Sequence, residues 1–167
     1  MDCQAQLGVV GALAFAMVLG GAVGFDRERR NRPAGFRTHM LVAGASALLV
    51  GMGRLMVEEQ LDAGPMLRMD PLRLVEAVVA GVAFIGAGTI FSQRRGAGVT
   101  GITTAASLLM VAVIGIAAGL HYYVLSLAAT VLTLLVLTGL HLVEQRMGSP
   151  TAGRPVKGSG GPPDAPG

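Results

Sequence analysis

Five apolar runs, almost free of charge, limit what this chain can become. They occupy residues 7–25, 39–57, 71–91, 101–120 and 122–143. A helix needs roughly 20 apolar residues to cross about 30 Å of hydrocarbon, and each run has about that length. None alternates with the period of two that an outer-membrane strand requires. Residues 101–143 are too long for one crossing. Gly119, His121 and the Tyr122–Tyr123 pair mark a tight reversal there, with the tyrosines suited to the membrane interface. The expected architecture is an all-α integral membrane protein, a bundle of five transmembrane helices within residues 1–147. Residues 148–167 are rich in Gly and Pro, cannot build a core, and are expected to be a disordered tail.

Composition supports the membrane class and excludes others. Charged residues make up 14% of the 167 residues, against roughly 25% in an ordinary soluble domain. The net charge of +3 is not a nucleic-acid signal, because Trp is absent and the basic residues sit in short connections between apolar runs. A single cysteine, Cys3, excludes an intrachain disulfide and a Cys-based zinc site. Residues before the first run include Asp2 and no Lys or Arg, so a secretory signal peptide, which carries a basic region there, is not expected.

Lys and Arg write the orientation. Arg27, Arg29, Arg30, Arg32 and Arg37 fall in the first connection, Arg94 and Arg95 in the third, and Arg146, Arg154 and Lys157 at the C-terminal end. With five spans these ten share one side, leaving Arg54, Arg68 and Arg73 on or near the other. The positive-inside rule then expects the N-terminus outside and the C-terminus in the cytoplasm.

Small residues recur at helical spacing: Gly20 and Gly24; Ala43, Ala47 and Gly51; Ala77, Gly81 and Gly88; Gly115 and Gly119. Such faces let helix backbones approach closely in lipid, either between two copies or inside one bundle. Packing within the bundle is the simpler reading.

Two segments can carry chemistry. The first runs from Gly24 to His39 and holds seven charges between Asp26 and Arg37. Asp26 and Glu28 are hard oxygen ligands of the kind Mg²⁺ or Ca²⁺ prefers, yet the surrounding arginines neutralise them and repel a cation. A salt-bridged interfacial turn that holds lipid phosphate is the alternative. The second runs from Gly86 to Ala106. It is glycine-rich but matches no phosphate-cradling motif. Thr100, Thr103 and Thr104 stand at the start of the fourth run, where their hydroxyls can cap the helix or bond to neighbouring helices, with capping the simpler expectation. An anion near Arg94 and Arg95 at this helix N-terminus is a further option.

Glu76 is the ionisable residue most clearly inside a run, and such groups are costly in lipid. Arg73, three residues earlier, and Arg54 are its expected partners. The outer connection, with Glu58, Glu59, Asp62, Arg68 and Asp70, is net acidic and reads as solvated. His39, His121 and His141 form no HxxxH or HExxH pattern, so zinc is not expected. No catalytic nucleophile stands out. The chain is expected not to be an enzyme and to carry no cofactor, and a metal ligand set is not identifiable.

The stretches GFDRERRNRPAGFRTHMLVAGASALLVG (24–51), VAFIGAGTIF (82–91) and VTGITTAASLLMVAVIGIAAGL (99–120) resemble the MgtC/SapB family of bacterial inner-membrane proteins. The resemblance implies a multi-pass inner-membrane location and roles in Mg²⁺ limitation, acid stress and intracellular survival. It also implies a regulatory protein that contacts other inner-membrane proteins; a homo-oligomer is a further option offered by the small-residue faces. The family's charged motif maps onto Asp26, Arg27, Glu28, Arg29, Arg37 and Thr38. Its glycine and threonine motifs map onto Gly86, Gly88, Thr103 and Thr104. Two departures are visible: Leu108 and Leu109 stand where the family commonly has an aromatic residue, and a Gly/Pro-rich tail stands where MgtC proper carries a soluble domain. The expectation is therefore a SapB-like chain. The alternative is a small transporter or channel component for Mg²⁺ or protons, using Glu76 and Asp26.

Overall fold

The computed structural model describes residues 3–63, 70, 72–92 and 101–146. A helix forms at each apolar run: α1 (Cys3–Arg29), α2 (Phe36–Ala63), α3 (Leu72–Ser92), α4 (Ile102–Gly119) and α5 (Tyr123–Arg146). The first four are long and apolar enough to cross a membrane; the apolar part of α5 is Tyr123–Gly139. The 148–167 tail, the connection holding Arg94, Arg95 and Thr100, and Arg68 all lie outside the described residues.

Local chemistry sets the helix ends. At the end of α1, Arg32 N–H bonds to Arg27 C=O (3.1 Å) and Asn31 N–H to Glu28 C=O (3.0 Å), with Asn31 at φ 52°. This is a Schellman cap, and Asn tolerates the left-handed conformation it needs. The same pattern closes α4: Tyr122 N–H bonds to Ala117 C=O (2.8 Å) and His121 N–H to Ala118 C=O (2.9 Å), with His121 at φ 65°. At the start of α3, the Asp70 carboxylate accepts the Leu72 N–H at 3.0 Å.

Helix α4 is central and touches all four others, whereas α3 packs on α2 and α4. Leu108, Val111 and Ile114 on α4 are fully buried, as is Val23 on α1. Backbone contact at small residues brings the helices this close. A Cβ on Gly20 would meet the His39 carbonyl at 2.6 Å, one on Gly24 would meet Phe36 Cα at 2.8 Å, and one on Gly119 would meet the Ala47 carbonyl at 2.6 Å. Gly115 lies equally tight against the Ala43 carbonyl, and Gly51 against Val9. These small faces therefore pack within one chain. The α3 face differs: Ala77, Gly81 and Gly88 are exposed, and a Cβ on either glycine would meet nothing within 4 Å.

Candidate functional site

The charged turn after α1 and the start of α4 meet at one end of the bundle. Arg27 is the residue that joins them. Its side chain is 3% exposed, and Nη2 donates to Thr104 Oγ1 at 2.9 Å. A buried guanidinium ordinarily finds a carboxylate. Here both nearby carboxylates are engaged elsewhere. Asp26 takes a bidentate contact from Arg30, with Nε and Nη2 both at 2.9 Å from its oxygens. That contact pushes the Arg30 pKa up. Glu28 Oε2 accepts the Phe36 N–H at 2.8 Å and so anchors the first residue of α2. Among the described residues, Arg27 forms no ion pair, and its buried Nε has no hydrogen-bond partner.

Beside Arg27 lies a fully buried histidine, His39 on α2. Its Nδ1 is 2.9 Å from Gly35 C=O, which only accepts, so Nδ1 carries a proton. Its Nε2 is 3.1 Å from Ser107 Oγ, and Ser107 Oγ is 2.8 Å from Thr104 C=O. The serine has one proton for two neighbours. If it goes to Thr104 C=O, Nε2 must donate and the ring is an imidazolium; if it goes to Nε2, the ring is neutral and Thr104 C=O loses that bond. The chain His39–Ser107–Thr104 is thus bridged by one hydroxyl that can turn to either neighbour. It crosses from α2 to α4, with Arg27 of α1 bonded to the same threonine.

The remaining candidates fall at different distances from this network. Thr38 is half-buried and lines a cavity of about 490 Å³ with Pro33, Ala34, Ile85, Gly88 and Thr89. The proline turn and the glycine segment of α3, far apart in sequence, therefore share one wall. Gly86 is buried against Ala105, where a Cβ would sit 3.2 Å from the alanine Cβ. Thr103 is exposed and lines a separate groove of about 330 Å³ between α4 and α5, together with Ser107 and Thr133. Arg29 and Arg37 are exposed, and the Arg29 guanidinium lies 5.7 Å from the Phe25 ring centroid.

Two expectations need correction. Thr103 and Thr104 do not cap α4, and Thr100 lies outside the described residues. Gly101, at φ 93°, is the N-cap, and no side chain caps the helix; Thr104 instead holds Arg27. The reason is positional, since Thr104 lies in the first turn on the face turned toward α1. Glu76 and Arg73 are both exposed on α3 and form no ion pair with each other. The Arg73 backbone N–H bonds to Asp70 C=O, while Arg54 is taken by Glu58 (3.3 Å) and His121 (2.9 Å). Among the described residues, no group of three His, Cys, Asp or Glu could hold a metal ion. His39 was expected only as the end of the charged segment and not as a zinc ligand, and Ser107 was not expected to be functional. Ser107 carried a signal, because it follows Thr104 by three residues and so shares its face; nothing in the spacing tied either to His39.

Comparison with known proteins places the chain. The MgtC family matches residues 13–146. YhiD of Escherichia coli K12, whose given name proposes a magnesium transporter, is 37% identical over 135 residues, covering 81% of this chain and 61% of YhiD. SrpB of Synechococcus elongatus is 37% identical, covering 83% of this chain and 78% of SrpB. MgtC of Brucella abortus is 38% identical over 107 residues, covering 64% of this chain and 40% of MgtC. The chain thus spans about three-fifths of YhiD and two-fifths of that MgtC. No solved structure matches. With four helices apolar enough to cross a membrane and a family match across most of its length, the chain belongs to the MgtC family.

Proposed function

We propose that this protein is a non-enzymatic regulator in the bacterial inner membrane, acting by contact with another membrane protein. All five helices span, with the N-terminus outside and the Arg27–His39–Thr104 network at the cytoplasmic end. The distribution of Lys and Arg supports that orientation. The observation that carries the reading is the packing between the two polar ends. Arg27, His39, Thr104 and Ser107 lie at one end, and Arg54, Glu58 and His121 at the other. Between them, Gly115 and Gly119 press directly on the Ala43 and Ala47 carbonyls. A single bundle closed by backbone contact suits signalling better than conduction. Glu76 stands on the exposed side of α3, beside Ala77, Gly81 and Gly88. That face is the surface on offer to a partner or to a second copy. The function would serve adaptation to Mg²⁺ limitation, acid stress or intracellular survival.

One observation favours a transporter instead, namely the name of the YhiD relative. Reconstitution into liposomes decides between them. A regulator gives no Mg²⁺ or proton flux above empty vesicles, and crosslinking through Gly81→Cys under low Mg²⁺ recovers a stoichiometric membrane partner. Flux that disappears in Glu76→Gln would refute the regulator.

A further inference from the structure

The end of the bundle opposite Arg27 holds a contact whose chemistry depends on protonation. His121 sits in the turn between α4 and α5, outside the spanning helices. Its backbone occupies the left-handed cap position at φ 65°, where glycine or asparagine is the usual choice. A side chain there carries backbone strain, so the imidazole needs a compensating contact. Arg54 of α2 provides one. Its Nη1 lies 2.9 Å from His121 Nδ1. Arginine can only donate, so Nδ1 must accept, and the ring must be neutral with its proton on Nε2.

The surroundings make the contact a tie among four helices. The His121 ring stacks on Tyr123 of α5 (centroids 5.5 Å apart), and Tyr123 meets Phe15 of α1 edge-on at 5.3 Å. Gly8 of α1 faces the ring, where a Cβ would sit 3.9 Å from Cε1. Two charges act on the imidazole: Arg54, which disfavours a second proton, and Glu58, which favours it. Burial and then Arg54 together push the His121 pKa below its ordinary value.

We propose that Arg54 and His121 form a pH latch: the neutral imidazole ties the α4–α5 turn to α2, and protonation of Nδ1 releases it. A second proton removes the lone pair that accepts the bond and sets two cations within hydrogen-bond distance. Arg54 retains Glu58 at 3.3 Å, so it is His121 and its turn that let go. The sign follows. The latch is fully closed above the ordinary histidine value of about 6.5 and is lost as pH falls through the lower value the ring has in the fold. This inference does not depend on the regulatory reading, because it concerns the conformation of the bundle itself.

The test is a distance measurement on the full chain in lipid nanodiscs. Spin labels go on cysteines at Met56→Cys and Leu125→Cys, both exposed positions flanking the latch, in a Cys3→Ser background. Between about pH 8 and about pH 5, the wild-type latch should convert from one distance to a longer one. The released-to-closed ratio should rise up to tenfold per pH unit between the two pKa values. His121→Gly suits the left-handed backbone and removes the titrating ring, so its distance should be independent of pH. Arg54→Gln should also lose the pH response, because it removes the repelling charge. An unchanged wild-type distance overturns the latch, and so does an equal shift in His121→Gly.

Discussion

Replacing Gly115 by alanine tests the close packing on which the fold rests. The added Cβ would press on the Ala43 carbonyl and lie 2.9 Å from Ser46 Cβ. The carbonyl belongs to the α2 backbone and cannot rotate aside, so α2 and α4 must separate. Overpacking of this kind costs about 1–3 kcal/mol. Alanine also gains roughly 1 kcal/mol of helix propensity over glycine, which offsets part of that cost. Because the clash is with backbone, the upper part of that range applies, about 2–3 kcal/mol, and the net expectation is a loss of about 1–2 kcal/mol, or roughly a 5- to 30-fold fall in the folded-to-unfolded ratio. Gly11→Ala is the matched control, because a Cβ there meets nothing within 4 Å. It should gain the propensity term without the clash and be neutral or stabilised by up to about 1 kcal/mol. Reversible unfolding in mixed micelles, followed by far-UV circular dichroism because the chain has no Trp, reads both. The same chemical change should thus act with opposite sign at two positions. The reasoning fails if Gly115→Ala is as stable as wild type, or if Gly11→Ala loses as much.

Other expectations concern the polar end. Arg27→Met should change unfolding stability by no more than about 1 kcal/mol, or raise it, because a buried cation without a carboxylate is replaced by an apolar chain of similar reach. A loss above about 3 kcal/mol would mean that a counter-ion lies beyond the described residues. His39→Ala should cost about 2–4 kcal/mol by the same assay, since it leaves a cavity and strips partners from Gly35 C=O and Ser107. Glu28→Ala should speed hydrogen exchange at the Phe36 amide, which loses its acceptor, without affecting amides in the middle of α2.

Much of the architecture was legible because lipid imposes a one-dimensional rule. A run such as 102–119 must be helical to satisfy its own backbone, so length and charge locate it. The charged turn was equally visible as a cluster. What spacing did not reveal was which of its arginines goes inward. Arg27, Arg29 and Arg30 stand within four residues, yet Arg27 is 3% exposed while Arg29 lies on the surface near Phe25. The helix phase decides this, because Arg27 shares the face of Gly20, Val23 and Gly24 that packs into the bundle. The expected pairing of Glu76 with Arg73 failed for a related reason: both point away from the bundle, and spacing of three residues permits a contact without requiring it.

Sequence alone determined that this chain builds apolar helices, where they lie, and where its charges concentrate. These properties follow from local composition and from the cost of exposing polar groups to hydrocarbon. Tertiary structure alone decided which partners meet. Thr104 holds Arg27 across 77 residues, Ser107 meets His39 across 68, and Arg54 meets His121 across 67. Those pairings depend on how closely α1, α2 and α4 approach, and glycines at their crossings set that distance.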